Sequence, residues 1–414
     1  MRKIVIIGAG QFGLQLGVAL LKQRYDVTIV SNRTGADIRK GRVLSSQILF
    51  GESLRNEAAL GLNPWAAEGP RANALAFSIP NGMGGKAVDW CLDVPEADKG
   101  QSIDQRLKVP AWMDRFEADG GKLVIAEADV AMLEDYAASA DLVIVSAGKG
   151  DIAGLFERDA ARCVYDRPQR YLSMNYVHGM QLRGSGKSSA CFNPIPGVGE
   201  FVTFPCLTLS GPCDILMFES VLGGPMHALF KDATNPEQRL EASLTALKTF
   251  LPWEAERCQN VRITDPLGDL AGAVTPTVRK PVAILPSGRP LMGGGDVVVL
   301  NDPLTGQGAN NASKHAAIVL ASILERGERE FDADWMRATF ERHWVKAQHV
   351  SRFTNLLLNA QEPVFTIMMT IAQNPALGQA FLEGFQDASK LDPWFFDVDA
   401  ARARIAGSSL LEVA

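Results

Sequence analysis

The sequence has no basic stretch, no long apolar run and no paired cysteine motif. A formal net charge of −6 without a lysine or arginine cluster argues against a nucleic-acid-binding surface. No run of about 18 apolar residues occurs, so we expect no membrane span. The six cysteines form no C-x-x-C pair and the five histidines have no adjoining ligand cluster. We therefore expect reduced thiols in a cytoplasmic protein that binds no metal and, because the chain enters a strand at once, no signal peptide.

The length and the hydrophobic pattern predict an α/β protein with two domains and a helical tail. The chain has 414 residues, 47% of them hydrophobic and 21% charged, which is enough for two substantial domains. We expect a first domain over 1–165, with excursions at 34–100. Short alternating segments between turns predict a sheet-rich second domain over 166–278. The chain then returns to the first domain over 279–330 and ends in a helical region over 331–414.

The first thirty residues predict a strand, a glycine turn, a helix and a second strand. The β-branched run Ile4–Ile7 is typical of a buried parallel strand. Gly8, Gly10 and Gly13 follow it with the spacing G-x-G-x-x-G, which in this context indicates a dinucleotide site. Gly8 permits the tight turn, Gly10 leaves room for the pyrophosphate, and Gly13 lets the helix pack on the strand.

One element of that fingerprint is missing. An acidic residue is expected at the end of the second strand, where it holds the adenosine ribose. This chain has Ser31, Asn32 and Arg33 there. Asn32 can still hydrogen-bond a ribose, but without charge assistance, so we expect weaker binding.

Residues 293–312 form a second glycine-rich segment, between a predicted strand end and a helix start. Glycines let the backbone approach a flat or phosphorylated ligand closely, and N–H groups at a helix N-terminus favour anions. Asp296 can accept a hydrogen bond from a sugar hydroxyl, and Pro303 stiffens the loop. The alternative is an ordinary loop with turn glycines.

Two glycine-rich segments at opposite ends of the chain predict one long ligand held from both sides. An NAD dehydrogenase requires only the first segment, whereas FAD extends from the first helix to a distant second loop. A third strand, over 141–145, also ends in a small-residue turn that contains Ala147 and Gly148. The pattern therefore favours FAD.

The amino-acid sequence of these segments resembles that of class A flavoprotein monooxygenases, and most of all that of the two-component styrene and indole monooxygenases. The resemblance rests on the N-terminal glycines, on Gly295-Asp296, and on Asp302-Pro303-Leu304-Thr305-Gly306-Gln307-Gly308-Ala309-Asn310, which matches their flavin loop. Segments 116–122, 141–149 and 167–170 give further support. The resemblance covers roughly residues 1–350.

This resemblance implies a glutathione-reductase-type Rossmann FAD domain, a mixed β-sheet substrate domain and C-terminal helices. It also implies the oxygenase component of a two-component system, which receives reduced FAD from an NADH-dependent flavin reductase. With O2 the family forms a C4a-hydroperoxyflavin that epoxidises styrene or the C2–C3 bond of indole. Such a species requires a dry, apolar pocket rather than a side-chain acid or base, so we assign no catalytic acid or base. A homodimer is left open.

The resemblance assigns roles to residues beyond the glycines. Pro303, Leu304 and Thr305 are expected to position the flavin. The remaining expected cofactor contacts are Gln11, Phe12, Arg33, Arg42, Arg106, Ala147, Gly148, Asp296, Gly306, Gln307, Gly308 and Asn310. Thr305, Asn310 and Asn311 have an alternative role as helix caps, and Arg106 has one as a solvated arginine.

The segment 45–50 is the best candidate for substrate contact. In the related family this segment lies near the reactive edge of the flavin, where styrene enzymes tend to carry Asn and the indole group Ser. Ser46 aligns there, which favours indole; a polar turn before a buried strand is the alternative. The other expected pocket residues are Ile48, Phe50, Phe192 and Phe204, with Phe201 as a weaker candidate. For the three aromatic residues of the second domain, an ordinary core position is the alternative.

Two other functions remain open from the sequence. The first is a single-component NAD(P)H-dependent aromatic hydroxylase, although we find no separate NAD(P)H motif. The second is a flavin-binding sensor or regulatory protein without turnover. Turnover of indole with reduced FAD and O2, or its absence, separates these functions.

The missing ribose carboxylate generates a first prediction. Because Asn32 replaces an acid, oxidised FAD should be held loosely and should separate from the protein during gel filtration. The flavin absorbance that co-elutes with the protein measures this. Stoichiometric retention of FAD through the column would contradict the prediction.

Overall fold

The computed structural model of the protein describes residues 1–147, 151–359, 362–371 and 373–411. The strands are β1 Lys3–Ile7, β2 Asp26–Ser31, β3 Arg71–Ala72, β4 Ala74–Pro80, β5 Lys86–Asp93, β6 Gly100–Gln101, β7 Lys122–Ile125, β8 Leu142–Val145, β9 Arg170–His178, β10 Ser189–Ile195, β11 Gly199–Thr208, β12 Gly211–Val221, β13 Arg262–Ile263, β14 Asp269–Gly272, β15 Thr277–Val278, β16 Val282–Ile284, β17 Pro290–Gly293 and β18 Val299–Leu300. The helices are α1 Gln11–Lys22, α2 Gly35–Lys40, α3 Gly51–Leu60, α4 Gln105–Ala118, α5 Val130–Ser139, α6 Pro225–Phe230, α7 Pro236–Phe250, α8 Pro252–Arg257, α9 Gly308–Arg326, α10 Ala333–Leu358, α11 Glu362–Ile371, α12 Pro375–Gln386 and α13 Val398–Leu411.

A mostly parallel sheet lies at the centre of a first set of elements, between two layers of helices. Its strand order is β16-β17-β8-β1-β2-β7, and the edge pair β16–β17 is antiparallel. The strands are apolar on both faces because helices cover both. Helices α1, α4 and α9 pack on one face, and α5 with part of α10 packs on the other. The α/β fold class expected from the sequence is confirmed.

A second sheet, mixed but mainly antiparallel, lies beside the first. Its strand order is β13-β9-β12-β11-β10-β4-β5, with β14 also paired to β9. Helices α6 to α8 cover one face, and the tail helices α11 to α13 cover the other. None of the described helices is both long and apolar enough to cross a membrane.

The strands β4 and β5 differ from the sequence expectation. Residues 34–100 were expected to form excursions of the first domain, but β4 pairs in parallel with β10 of the second sheet. The pairing joins residues more than a hundred positions apart, and the local pattern of the sequence carries no signal for such a partner. The second sheet therefore draws on both halves of the chain.

Candidate functional site

The turn between β1 and α1 is shaped by three glycines with different surroundings. Gly8 has φ +118°, and a Cβ there would lie 2.8 Å from Ala147 N. A Cβ at Gly13 would lie 2.0 Å from Gly8 O. At Gly10, by contrast, no described atom lies within 4 Å of an added Cβ. Gly8 and Gly13 thus permit close packing, whereas Gly10 faces open space at the start of α1.

Helix α9 begins in the same way and lies beside α1. Across the described residues, neither helix has a side-chain N-cap, and an added Cβ at Gly308 would also meet nothing within 4 Å. Gln15 Nε2 donates to Ser313 O at 3.0 Å, and both residues lie in the first two turns of their helices. Two neighbouring helix N-termini with open space above them provide adjacent sites for anionic groups.

The glycine segment 293–295 packs against the rings of Phe156 and Phe12. A Cβ at Gly294 would lie 2.4 Å from the ring of Phe12, and Gly295 has φ +57°. The N–H of Gly295 donates to His315 Nδ1 at 3.2 Å. His315 stacks on His343, with ring centroids 4.0 Å apart. Burial lowers the pKa of both rings, that of His343 to about 3, so His315 is neutral and its Nδ1 can accept.

Asn310 connects the loop before α9 to the segment 48–50. Its Oδ1 accepts from Phe50 N at 2.9 Å. Its Nδ2 donates to Ile48 O at 2.9 Å and to Gly306 O at 3.0 Å. Gly306 has φ +63°, and an added Cβ would lie 3.0 Å from Ile48 Cγ2. Asn310 is therefore a clamp between two chain segments and not a helix cap.

The turn Pro303–Thr305 is anchored to the C-terminal helices. Asp302 Oδ1 accepts from Leu304 N at 3.1 Å and caps the turn. The buried hydroxyl of Thr305 lies 2.6 Å from that of Thr354 in α10. Gln307 Nε2 donates to Phe385 O in α12 at 2.9 Å. Thr305 and Gln307 thus use their side chains to fix the loop.

An aromatic cluster surrounds Phe385, a residue that no sequence pattern indicated. The ring centroid of Phe385 lies 5.2 Å from that of Phe50 and 5.8 Å from that of Phe192. Phe204 belongs to the same buried cluster, whereas Phe201 faces the opposite side of the sheet. A small cavity of about 30 Å³ is lined in part by Phe50 and Phe385. The structure thus brings Phe50 and Phe192 together through a side chain of the tail.

Ser46 and Ile48 lie on the segment that faces the second sheet. Ile48 is buried in the same cluster. Ser46 is partly buried, and its Oγ lies 3.9 Å from Met217 Sδ in β12. A thioether sulfur is a weak acceptor, so the Ser46 hydroxyl can still pair with another group.

The two arginines that were expected to contact the cofactor both form ion pairs. Arg106 is buried and donates to Asp104 at 2.7 Å and to Asp265 at 2.8 Å, so the alternative of a solvated arginine is wrong. These carboxylates engage its guanidinium and tie α4 to the second sheet's connecting loop. Arg42 is half-exposed and pairs with the buried Asp269.

Gln11 takes part in a buried network that the sequence did not indicate. Its Nε2 donates to Glu57 Oε1 at 3.0 Å, and Lys108 Nζ donates to Gln11 Oε1 at 2.9 Å and to Glu57 Oε1 at 2.5 Å. Burial raises the pKa of Glu57 and lowers that of Lys108, while their contact opposes both shifts. The side chain of Gln11 therefore connects the start of α1 to α3 and α4.

The other expected residues lie at the same edge of the first sheet. Asn32 and Arg33 are exposed directly after β2, and Asp296 is exposed after the glycine segment. Ala147 is partly buried beside Gly8, and Gly148 lies outside the described residues. Among the described residues, no group of histidine, cysteine and acidic side chains could hold a metal ion.

Comparisons with known proteins agree with this geometry. Residues 148–257 match the family described as the styrene monooxygenase A substrate-binding domain. The chain is 28% identical over 393 residues to styrene monooxygenase StyA of Pseudomonas fluorescens, covering 93% of this chain and 92% of the relative. A second styrene monooxygenase StyA, from a Pseudomonas species, is 28% identical over 395 residues with the same coverage.

Solved structures with low sequence identity share the fold. The flavin-dependent brominase Bmp2 superposes with a TM-score of 0.70 at 14% identity, covering 99% of both chains. CmlS, a flavin-dependent halogenase, superposes with a TM-score of 0.65 at 14% identity, covering 100% of this chain and 77% of its own.

The clamp at Asn310 generates a stability prediction. The change Asn310→Ala leaves Phe50 N and Ile48 O without their buried partner, and each such loss costs about 1–3 kcal/mol. We expect a fall of about 2–4 kcal/mol in the free energy of unfolding, measured by denaturant titration. Asn311→Ala, in the same turn and also buried, is the matched control and should cost much less. Equal losses in both variants would contradict the clamp.

Proposed function

Since the chain is a styrene-monooxygenase-like, FAD-dependent monooxygenase, we propose that it is the oxygenase component of a two-component system that epoxidises indole or styrene. In this proposal an NADH-dependent flavin reductase supplies reduced FAD, which the oxygenase uses with O2. The relatives support the kind of activity and partner. The observation that carries the proposal is the clamp of Asn310, which holds an apolar segment directly against residues 302–310, here called the flavin loop.

Two segments that are distant along the chain but adjacent in the fold fit FAD. The open N-termini of α1 and α9 suit its two phosphates, and the glycines at 8–13 and 293–295 allow the backbone to approach it. Reduced FAD, when bound, supplies the electrons that activate O2. We assign cofactor contacts to Gly8, Gly10, Phe12, Gly13, Asn32, Arg33, Ala147, Asp296, Pro303, Gly306, Gly308 and Asn310, with Gln11 and Gln307 contributing through their backbone.

The chain's own side chains exclude water from the substrate. Phe50, Phe192 and Phe385 form an aromatic wall beside the flavin loop. Such a wall suits a small aromatic hydrocarbon, and it keeps water from the activated oxygen. Substrate contacts are assigned to Ser46, Ile48, Phe50, Phe192 and Phe204.

Indole is the substrate that the site favours within this class. Ser46 offers a hydroxyl whose protein contact is the weakly accepting Met217 sulfur. The N–H of indole can donate to that hydroxyl, whereas styrene has no polar group to pair with it. Discrimination through one hydrogen-bonding group can exceed that through apolar shape alone.

Turnover assays test the two-component proposal. Purified protein is supplied with FAD, NADH, O2 and a generic flavin reductase, and products from indole and styrene are analysed by chiral chromatography. We expect epoxidation products, with indigo from indole, only when both proteins are present. Steady NAD(P)H oxidation by the protein alone would favour a single-component hydroxylase, and flavin binding without product would favour a sensor.

The substitution Ser46→Asn tests the substrate contact. We expect the indole-to-styrene rate ratio to shift toward styrene, because a larger amide replaces the hydroxyl that pairs with indole. The ratio is measured in competition, so that changes in flavin delivery cancel. Ser45→Asn is the neighbouring control. An unchanged ratio in Ser46→Asn would remove this residue from the pocket.

A further inference from the structure

Three buried carboxyl groups and one guanidinium lie where the second sheet meets the flavin loop. Glu200 in β11 and Glu219 in β12 are directly opposite each other in paired strands. Asp302 reaches them from the loop, and Arg170 reaches them from β9. All three acids are nearly inaccessible to water, with Glu219 1% exposed and Asp302 2% exposed. Buried like charges in such contact are strongly unfavourable.

Arg170 neutralises one of the three acids. Its Nε donates to Glu200 Oε2 at 2.7 Å and its Nη2 donates to Glu200 Oε1 at 2.7 Å. The same Nη2 also donates to Leu358 O at the end of α10, at 2.8 Å. This bidentate geometry is the strongest arrangement available to an arginine and a carboxylate. Glu219 and Asp302 remain as the uncompensated pair.

The contacts of these two acids decide where a proton resides. Within the described residues, no donor reaches either oxygen of Glu219. The buried carboxyl groups of Glu219 and Asp302 face each other, and two such groups can form a hydrogen bond only if one of them carries a proton. Asp302 accepts the N–H of Leu304, which favours its ionised form. Of the two acids, Glu219 is therefore the one whose surroundings favour the protonated form.

The electrostatics of the cluster agree with this assignment. Burial, and then the charge of Asp302, raise the pKa of Glu219 well above its ordinary value. The titratable groups that face Glu219 are Asp302, Glu200 and Arg170, and of these Arg170 alone opposes the shift. Burial also raises the pKa of Asp302, while its hydrogen bonds lower it.

We propose that protonated Glu219 is a positioning residue for the flavin loop. Its hydroxyl donates to Asp302, which in turn caps the turn Pro303–Thr305. This rests on the proposed function only in taking that turn as the flavin contact. When Glu219 loses its proton, two negative charges face each other, and Asp302 is repelled from the position in which it caps Leu304.

The sign of the pH dependence follows from the raised pKa. Glu219 is protonated in the folded protein at pH values where it is ionised in the unfolded chain, above about 4.3. Its contribution to the free energy of unfolding therefore falls as the pH rises from that value to the folded pKa. The cap on the flavin loop persists up to the folded pKa and is lost above it.

Infrared spectroscopy of the FAD-free protein tests the protonation state directly. At neutral pH we expect a carbonyl band from a protonated carboxylic acid, shifted in D2O and absent from Glu219→Gln. Asp214→Asn removes a partly buried acid, whose pKa burial raises to about 6, and should leave the Glu219 band in place. A wild-type spectrum without the band, or a band that persists in Glu219→Gln, overturns the proposal.

The pH dependence of FAD binding tests the positioning role. We expect the affinity of the wild type for oxidised FAD to fall about tenfold per pH unit above the folded pKa. Glu219→Gln should bind without this fall, because its amide stays neutral and still donates to Asp302. The same alkaline fall in both proteins overturns the proposal, as does a wild-type affinity that stays constant into strongly alkaline solution.

A second variant covers the case in which Glu219→Gln does not fold. Asp302→Asn retains an acceptor for Leu304 N–H and removes the charge that raises the pKa of Glu219. We expect its infrared acid band to disappear at a lower pH than in the wild type, and an unchanged transition would overturn the proposal. None of these measurements requires turnover, so a failed epoxidation assay would not affect them.

Discussion

The side chain of Asn310 makes three hydrogen bonds that hold together chain segments 260 residues apart. It fixes the start of α9, the loop before it and the segment 48–50 in one arrangement. The apolar wall, the flavin loop and the open helix N-terminus all depend on that arrangement. Two buried backbone groups and one partly buried group are satisfied by one amide, so no smaller or purely apolar residue can replace it without leaving unpaired polar groups.

Buried ion pairs connect helix α4 with the second sheet, and strands within that sheet, in the same region. Arg106 with Asp104 and Asp265, and Arg170 with Glu200, each join elements from different parts of the chain. Such pairs add little net stability, because the desolvation of both partners offsets most of their attraction. Breaking one of them leaves an uncompensated charge in the interior. Their consequence is a single permitted arrangement of the elements that border the site.

The sequence predicts the parts of the site that are local. The turn at Gly8–Gly13 was recognisable because its three glycines act within one strand–helix unit. The flavin loop could be predicted because its amino-acid sequence resembles that of a known family. The ion pair of Arg106 with Asp265 could not be predicted, because the two residues are 159 positions apart and such a pairing leaves no local pattern. The contacts of Phe385 and the pairing of β4 with β10 could not be predicted for the same reason, because their partners are distant in the chain.

The tail helices contribute side chains to the apolar wall beside the loop 302–310. Phe385 of α12 contacts both Phe50 and Phe192, and the backbone of α12 accepts from Gln307 of the flavin loop. Thr354 of α10 holds Thr305 of the same loop. In the proposed function the pocket must exclude water, and residues of α12 pack in the same apolar cluster as Phe50. Helix α12 both packs in this cluster and accepts a hydrogen bond from Gln307 of the flavin loop. The position of the loop and the exclusion of water from the pocket therefore depend on the same helix.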